Sequence, residues 1–208
     1  MPCYPIRRFD CISKIDWQRV PAAPIAHYRW LDNGFCPPSY AQLAWTPDAL
    51  AVWLRSQEPN PRRTFTEPQS MVCLDSCLEF FVNFTPLDTP LFFNFETNPN
   101  GAMLSAYGPP RYDRTFVNLP EWLPQMDVRT EIDASGWGIS YQIPWALVRE
   151  FQPGFTPEPG RIAVGNFYKC GDSTPLPHYG MWNCVEVAQP DFHRPEFFAA
   201  LVFEGEME

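Results

Sequence analysis

The chain has 208 residues and a formal net charge of −9, and Lys and Arg form no run longer than the pairs Arg7-Arg8 and Arg62-Arg63. That charge balance excludes the basic surface that phosphate-backbone binding needs, so nucleic acid is not an expected partner. The length suits a single domain spanning 1–208 with a sizeable core, no apolar run approaches the roughly 20 residues of a membrane span, and 25 prolines spread from Pro2 to Pro195 exclude long helices.

In chain order, MPCYPIRRFDCISKIDW lacks the apolar run of a secretory signal, which points to a cytoplasmic protein. Residues 1 to about 40 read as an irregular lead-in packed on the domain. AQLAW, TPDA and LAVWLRS then form a hairpin, with Leu50, Val52 and Leu54 facing inward and Ala51, Trp53 and Arg55 outward. The stretch from Gln57 to Ser70 is a polar loop between strands, not a domain boundary.

The clearest strand is CLEFFVNF. Its period of two puts Leu78, Phe80, Val82 and Phe84 on a core face and Cys77, Glu79, Phe81 and Asn83 on the other. LFFNFETN follows, setting Leu91, Phe93 and Phe95 against Phe92, Asn94 and Glu96. DVRTEID, the turn ASG and WGISYQIPW make a second hairpin that ends at Pro144. PWALVREF is a two-turn helix candidate, and RIAVGNFYKC and FFAALVFE complete the strands. Seven or more short strands with regular turn signals argue for an all-β fold, an antiparallel, immunoglobulin-like β-sandwich with long proline-rich loops and one or two short helices at most.

The seven scattered cysteines do not resemble a disulfide framework, and reduced thiols are expected. Cys73 and Cys77, if both lie on one strand, would stand roughly 13 Å apart and could not chelate one ion. Cys170, His178 and Cys184 could converge through a loop, but paired C-x-x-C knuckles are missing. No metal or other cofactor is assigned. Calcium stays open, although no dense acidic loop is present to hold it.

The motifs LDSCLEFF, NFETNPNG, YQIPW, GNFYKCGD, HYGMWN and DFHRPEFF, in this order between about Trp45 and Phe203, resemble the stand-alone branch of the family 9 carbohydrate-binding modules, a DOMON-like sandwich. The resemblance implies non-catalytic binding of a mono- or oligosaccharide pinched between aromatic rings. A pyranose has apolar faces that stack on a ring and hydroxyls that need partners once water leaves. Position by position, Glu79 matches a hydroxyl-binding glutamate, Asn166 an amide position and Trp182 a stacking ring. Beside Glu79, Asn94 and Glu96 extend an outward polar row, and Arg111 and Arg114 are candidate bidentate donors to vicinal hydroxyls. His178 is a further candidate contact. Cys73 stands where the family carries its other stacking ring, a place that Trp53, Tyr107 or Tyr112 would have to fill. The cysteine and histidine of GNFYKCGD and DFHRPEFF belong to the branch's pattern and read as architecture.

Two other functions fit parts of the sequence. A glycoside hydrolase would pair Glu79 with Glu96 or Asp191. A haem-binding redox module would use Met71, Met103, Met126 or Met181 with His178 or His193.

Overall fold

A computed structural model describes residues 2–205. Among them are fourteen strands: β1 (Cys3–Arg8), β2 (Ala23–Ile25), β3 (His27–Tyr28), β4 (Ser39–Trp45), β5 (Ala49–Ser56), β6 (Cys77–Asn83), β7 (Phe92–Thr97), β8 (Met103–Gly108), β9 (Thr115–Phe116), β10 (Arg129–Asp133), β11 (Gly136–Pro144), β12 (Ile162–Cys170), β13 (Tyr179–Met181) and β14 (Ala199–Phe203). Two short α-helices, α1 (Leu119–Met126) and α2 (Trp145–Phe151), and four single-turn 3-10 helices complete the regular structure of the described residues. No helix of the described residues is long and apolar enough to cross a membrane.

Eleven of these strands form one curled path, β10-β11-β5-β4-β1-β14-β12-β6-β7-β8-β9, with β1 as its joint; β2 pairs with β4, and β13 with β12 and β3, off that path. Cys3 to Ile6 pair with β14, while Arg7 and Arg8 pair with β4. Residues 3–8, expected within an irregular lead-in, are therefore the strand that links the two limbs. Pro5 sits where the strand has a partner on one side only, a setting that tolerates a missing N–H. Both pairings of β1 are parallel, against the all-antiparallel expectation; neither β14 nor β4 follows β1 directly in the chain, so no hairpin constrains either pair to be antiparallel.

The two limbs bury their alternating apolar residues against each other. Phe80 and Val82 of β6, Phe93 and Phe95 of β7 and Leu201 of β14 share one core with Leu43, Val52, Leu54 and Ile139 of the other limb. Ring contacts such as Phe95 with Tyr141, at 6.1 Å between centroids, join the limbs across that core. The period-two assignment of β6 and β7 to an inner and an outer face holds residue for residue. Helix α2 forms where PWALVREF placed it, with Pro144 as the preceding cap residue. Helix α1 is an addition: Leu119, Trp122 and Met126 fall on one buried face despite Pro120 in its first turn and Pro124 inside. Two turns are short enough to bear those prolines.

The outer face of the β12-β6-β7-β8 limb is not open to solvent. Phe81, Phe92 and Tyr168 pack there against Val72 of the turn at Val72–Leu74 and against Phe192 and Phe198 of the segment 183–198, forming a second apolar cluster. Tyr168 stacks on Phe192 with centroids 4.0 Å apart. The polar row expected to lie outward is therefore covered, and Glu79, Asn94 and Glu96 are 2%, 2% and 6% exposed.

Candidate functional site

The loops leave one cavity over this outer face, of about 580 Å³, and Glu79, Asn94 and Glu96 line it. Glu79 and Glu96 are direct partners across β6 and β7, so the fold forces two acidic side chains together under cover. Burial, reinforced by the neighbouring Glu96, pushes the Glu79 carboxyl well above the usual carboxylate range. Burial likewise pushes Glu96 up to about 7, although the Asn94 amide and the Arg114 charge act against the shift.

Each carboxyl group has an identifiable local partner. Cys170 donates its thiol to Glu79 Oε1 at 2.9 Å, and Asn94 donates Nδ2 to Glu96 Oε1 at 2.9 Å. Arg114 in turn fixes Asn94, donating Nη2 to its Oδ1 at 2.8 Å. Nη2 also donates to the Phe92 carbonyl and Nη1 to those of Gly108 and Pro109, and the guanidinium carbon lies 4.3 Å from the Phe92 ring centroid. Gly108 makes this possible, since a Cβ there would come within 2.9 Å of the Arg114 backbone. Arg114 thus anchors the floor and does not present the free fork expected for sugar hydroxyls.

Aromatic groups border the polar floor. Trp30, Tyr179 and Phe192 stand together, with Trp30 5.5 Å from Phe192 and 5.9 Å from Tyr179. From the β9 side and the loop before it come Phe116 and Tyr112, 61% and 74% exposed. Tyr112 is flanked by Arg111 and Asp113, both with φ of 56°, a conformation uncommon for non-glycine residues. Arg111 lines the rim and lies 3.6 Å from Asp191. His193 also lines the cavity, its ring 4.8 Å from that of Phe81. Burial, followed by the charges of Arg114 and Arg111, depresses its pKa to about 3, so the imidazole is neutral.

Five of the eight expected contacts therefore meet at one cavity: Glu79, Asn94, Glu96, Arg111 and Arg114. Three do not. Trp182, expected as a stacking ring, is packed between the limbs against Phe167 and Tyr4, at 5.3 and 6.2 Å. Asn166 shares the outer face but is fully buried, accepting from the backbone N–H of Asn183 and donating to its carbonyl, so it ties down the covering segment. His178 is held by Lys169 Nζ at 2.6 Å and the Leu176 carbonyl at 2.8 Å. Both its ring nitrogens are engaged away from the cavity.

Among the three rings weighed for the place of Cys73, Tyr112 alone borders the cavity. Trp53 packs with Trp17 and Tyr40, and Tyr107 lies in the core against Phe93. Cys73 itself lines the cavity from the turn before β6 and is not on the strand of Cys77. Cys170 and His193, read as architecture, are cavity residues too. A period-two count over GNFYKC would have revealed Cys170, because Tyr168 pairs with Glu79 and Cys170 lies two residues further along the same face. Trp30 carried no such signal.

The sequence profile of carbohydrate-binding family 9 matches residues 11–203. The chain belongs to this family. No significant match exists among curated proteins. A crystal structure of a Bacteroides uniformis protein, provisionally described as carbohydrate-binding, is similar with a TM-score of 0.85 at 24% identity, covering 97% of this chain and 99% of the other. Family 9 modules from Caldicellulosiruptor kristjanssonii are also similar. The complex with glucose gives a TM-score of 0.68 at 13% identity, covering 100% and 98% of the two chains. The complex with cellotriose gives 0.67 at 12% identity, covering 100% and 96%.

Proposed function

We propose that this chain binds a mono- or oligosaccharide, without catalysis, in the cavity floored by Glu79, Glu96 and Asn94. One observation carries the reading: buried hydrogen-bonding groups converge beneath aromatic rings, of which Tyr112 and Phe116 stay largely exposed at the mouth. A pyranose laid against Trp30 or Tyr112 presents its apolar face to the ring while its hydroxyls reach the carboxyl and amide groups below. The volume suits a small glycan, and the neutral His193 can either donate or accept at the wall. Membership of the family supports this assignment, as do the glucose and cellotriose complexes of the similar modules. The facing limbs we read as a β-sandwich of the immunoglobulin-like, DOMON-like type.

A glycan array followed by calorimetry tests the proposal, with cellotriose as the first defined probe. Binding insensitive to salt and weakened about tenfold or more in Glu79→Gln is expected, and absence of binding to every array glycan would overturn it. A second reading draws on the same carboxyl pair. Two cavity carboxyl groups with pKa values pushed upward also suit glycoside hydrolysis, and sustained release of reducing sugar, abolished by Glu79→Gln, would establish it.

A further inference from the structure

Cys77 on β6 and Cys170 on β12 are direct cross-strand partners on the outer face, and Glu79 lies two residues beyond Cys77 on that same face. One sulfur from each cysteine and one Glu79 carboxylate oxygen all lie within 4.8 Å of one another. Cys77 is fully buried, and Cys170 and Glu79 are each 2% exposed.

Three donors at such separations match what a tetrahedral cation requires. With metal–sulfur bonds of about 2.3 Å, neighbouring ligands of a zinc ion stand roughly 3.8 Å apart, so small side-chain rotations close the gap. Two thiolates and one carboxylate are a donor set for zinc or another thiophilic divalent ion and a poor one for calcium or magnesium. The strands hold the donors rigidly, and the set is open on one side, since Glu79 and Cys170 line the cavity while Cys77 does not.

We propose that Cys77, Cys170 and Glu79 form a binding site for a thiophilic divalent cation in the cavity floor, with the fourth coordination position facing the cavity. Binding exchanges the two thiol protons, and that of Glu79 where it is held, for one M²⁺, with no change of oxidation state. The site stands or falls independently of sugar binding, although Glu79 serves both.

The probe is cobalt(II), added anaerobically to a background variant in which Cys3, Cys11, Cys36 and Cys184, none of them buried, are replaced by serine. One cobalt per chain is expected, with near-ultraviolet thiolate-to-cobalt absorption that one equivalent of zinc abolishes. Cys77→Ser and Cys170→Ser should each lose that absorption, and Cys73→Ser should keep it. Absence of the absorption in the background variant overturns the site, as does its survival in both Cys77→Ser and Cys170→Ser or its loss in Cys73→Ser. Because a buried serine could unfold the domain, a second readout uses the background variant alone. Zinc added in weak buffer should release at least two protons per ion, and release of fewer than two overturns the assignment.

Discussion

Two buried acidic clusters lie on opposite faces of the same limb, and they are built differently. On the inner side, at the end of the core, Glu58 is 3% exposed and accepts from Ser76 at 2.8 Å, from the Trp137 indole at 3.0 Å and from Lys169, also at 3.0 Å. Lys169 further donates to the Cys170 carbonyl and contacts His178. Lys169 and these donors outweigh burial and hold the Glu58 carboxyl below its usual range. On the outer side, Glu79 and Glu96 are comparably buried, yet burial prevails and their carboxyl groups move up. The difference lies in the partners. A carboxylate with its donors in place is satisfied by the fold itself, whereas a pair with fewer donors at a cavity keeps hydrogen-bonding capacity that the fold does not use.

The contrast can be broken most severely on the inner side. Lys169→Ala leaves Glu58 buried without its counter-charge, and urea unfolding should show a loss of about 3–5 kcal/mol. A smaller loss would mean that Ser76 and Trp137 satisfy the carboxylate alone.

On the outer side the sharpest test is pH. The Glu96 pKa is raised from an ordinary value near 4.5 to about 7, so the folded state binds its proton more tightly than the unfolded one. Its contribution is complete below pH 4.5 and disappears as pH rises through 7. Glu96→Gln stays neutral throughout, so the stability of the native chain relative to this variant should decline between pH 4.5 and 7, by on the order of 3 kcal/mol. Thermal melts of the two proteins across this range measure the difference, and a flat difference would mean that folding does not raise the Glu96 pKa.

Glu79→Gln should leave unfolding stability nearly unchanged, since no counter-charge is orphaned, while the affinity for the best array glycan falls about tenfold or more, roughly 1.5 kcal/mol or above. Calorimetry beside a denaturation curve separates the two effects. The mildest change is Tyr112→Ala. Its ring is 74% exposed, so stability should move by no more than about 0.5 kcal/mol, with glycan affinity reduced by about 1 kcal/mol if the ring is a stacking platform.

Much of the limb that carries the site was legible beforehand because strand alternation is a local property. Leu78 to Phe84 and Leu91 to Glu96 could be sorted into two faces from their order alone, and the sorting placed Glu79, Asn94 and Glu96 side by side. Trp182 was not legible in this way. It follows a strand of only three residues, Tyr179–Met181, too short for alternation to state which face the next side chain takes, and packing against Tyr4 from the other end of the chain decided it. Arg114 misled for a different reason: a guanidinium among prolines reads as a free donor until the carbonyls of Gly108, Pro109 and Phe92 are seen to surround it.

The sequence by itself determined the strand-rich class, the inward and outward sets along β5, β6 and β7, and the acidic character of the floor, since each follows from the spacing of neighbouring residues. Only the tertiary structure decided that β1 joins the limbs, that segment 183–198 roofs the polar row, and that Cys170 comes to rest against Cys77 and Glu79. Those outcomes depend on pairings between residues as much as about 200 positions apart, such as Cys3 with Ala200. Local periodicity carries no information across such a distance, and it was the burial created by these contacts that raised the carboxyl pKa values at the cavity floor.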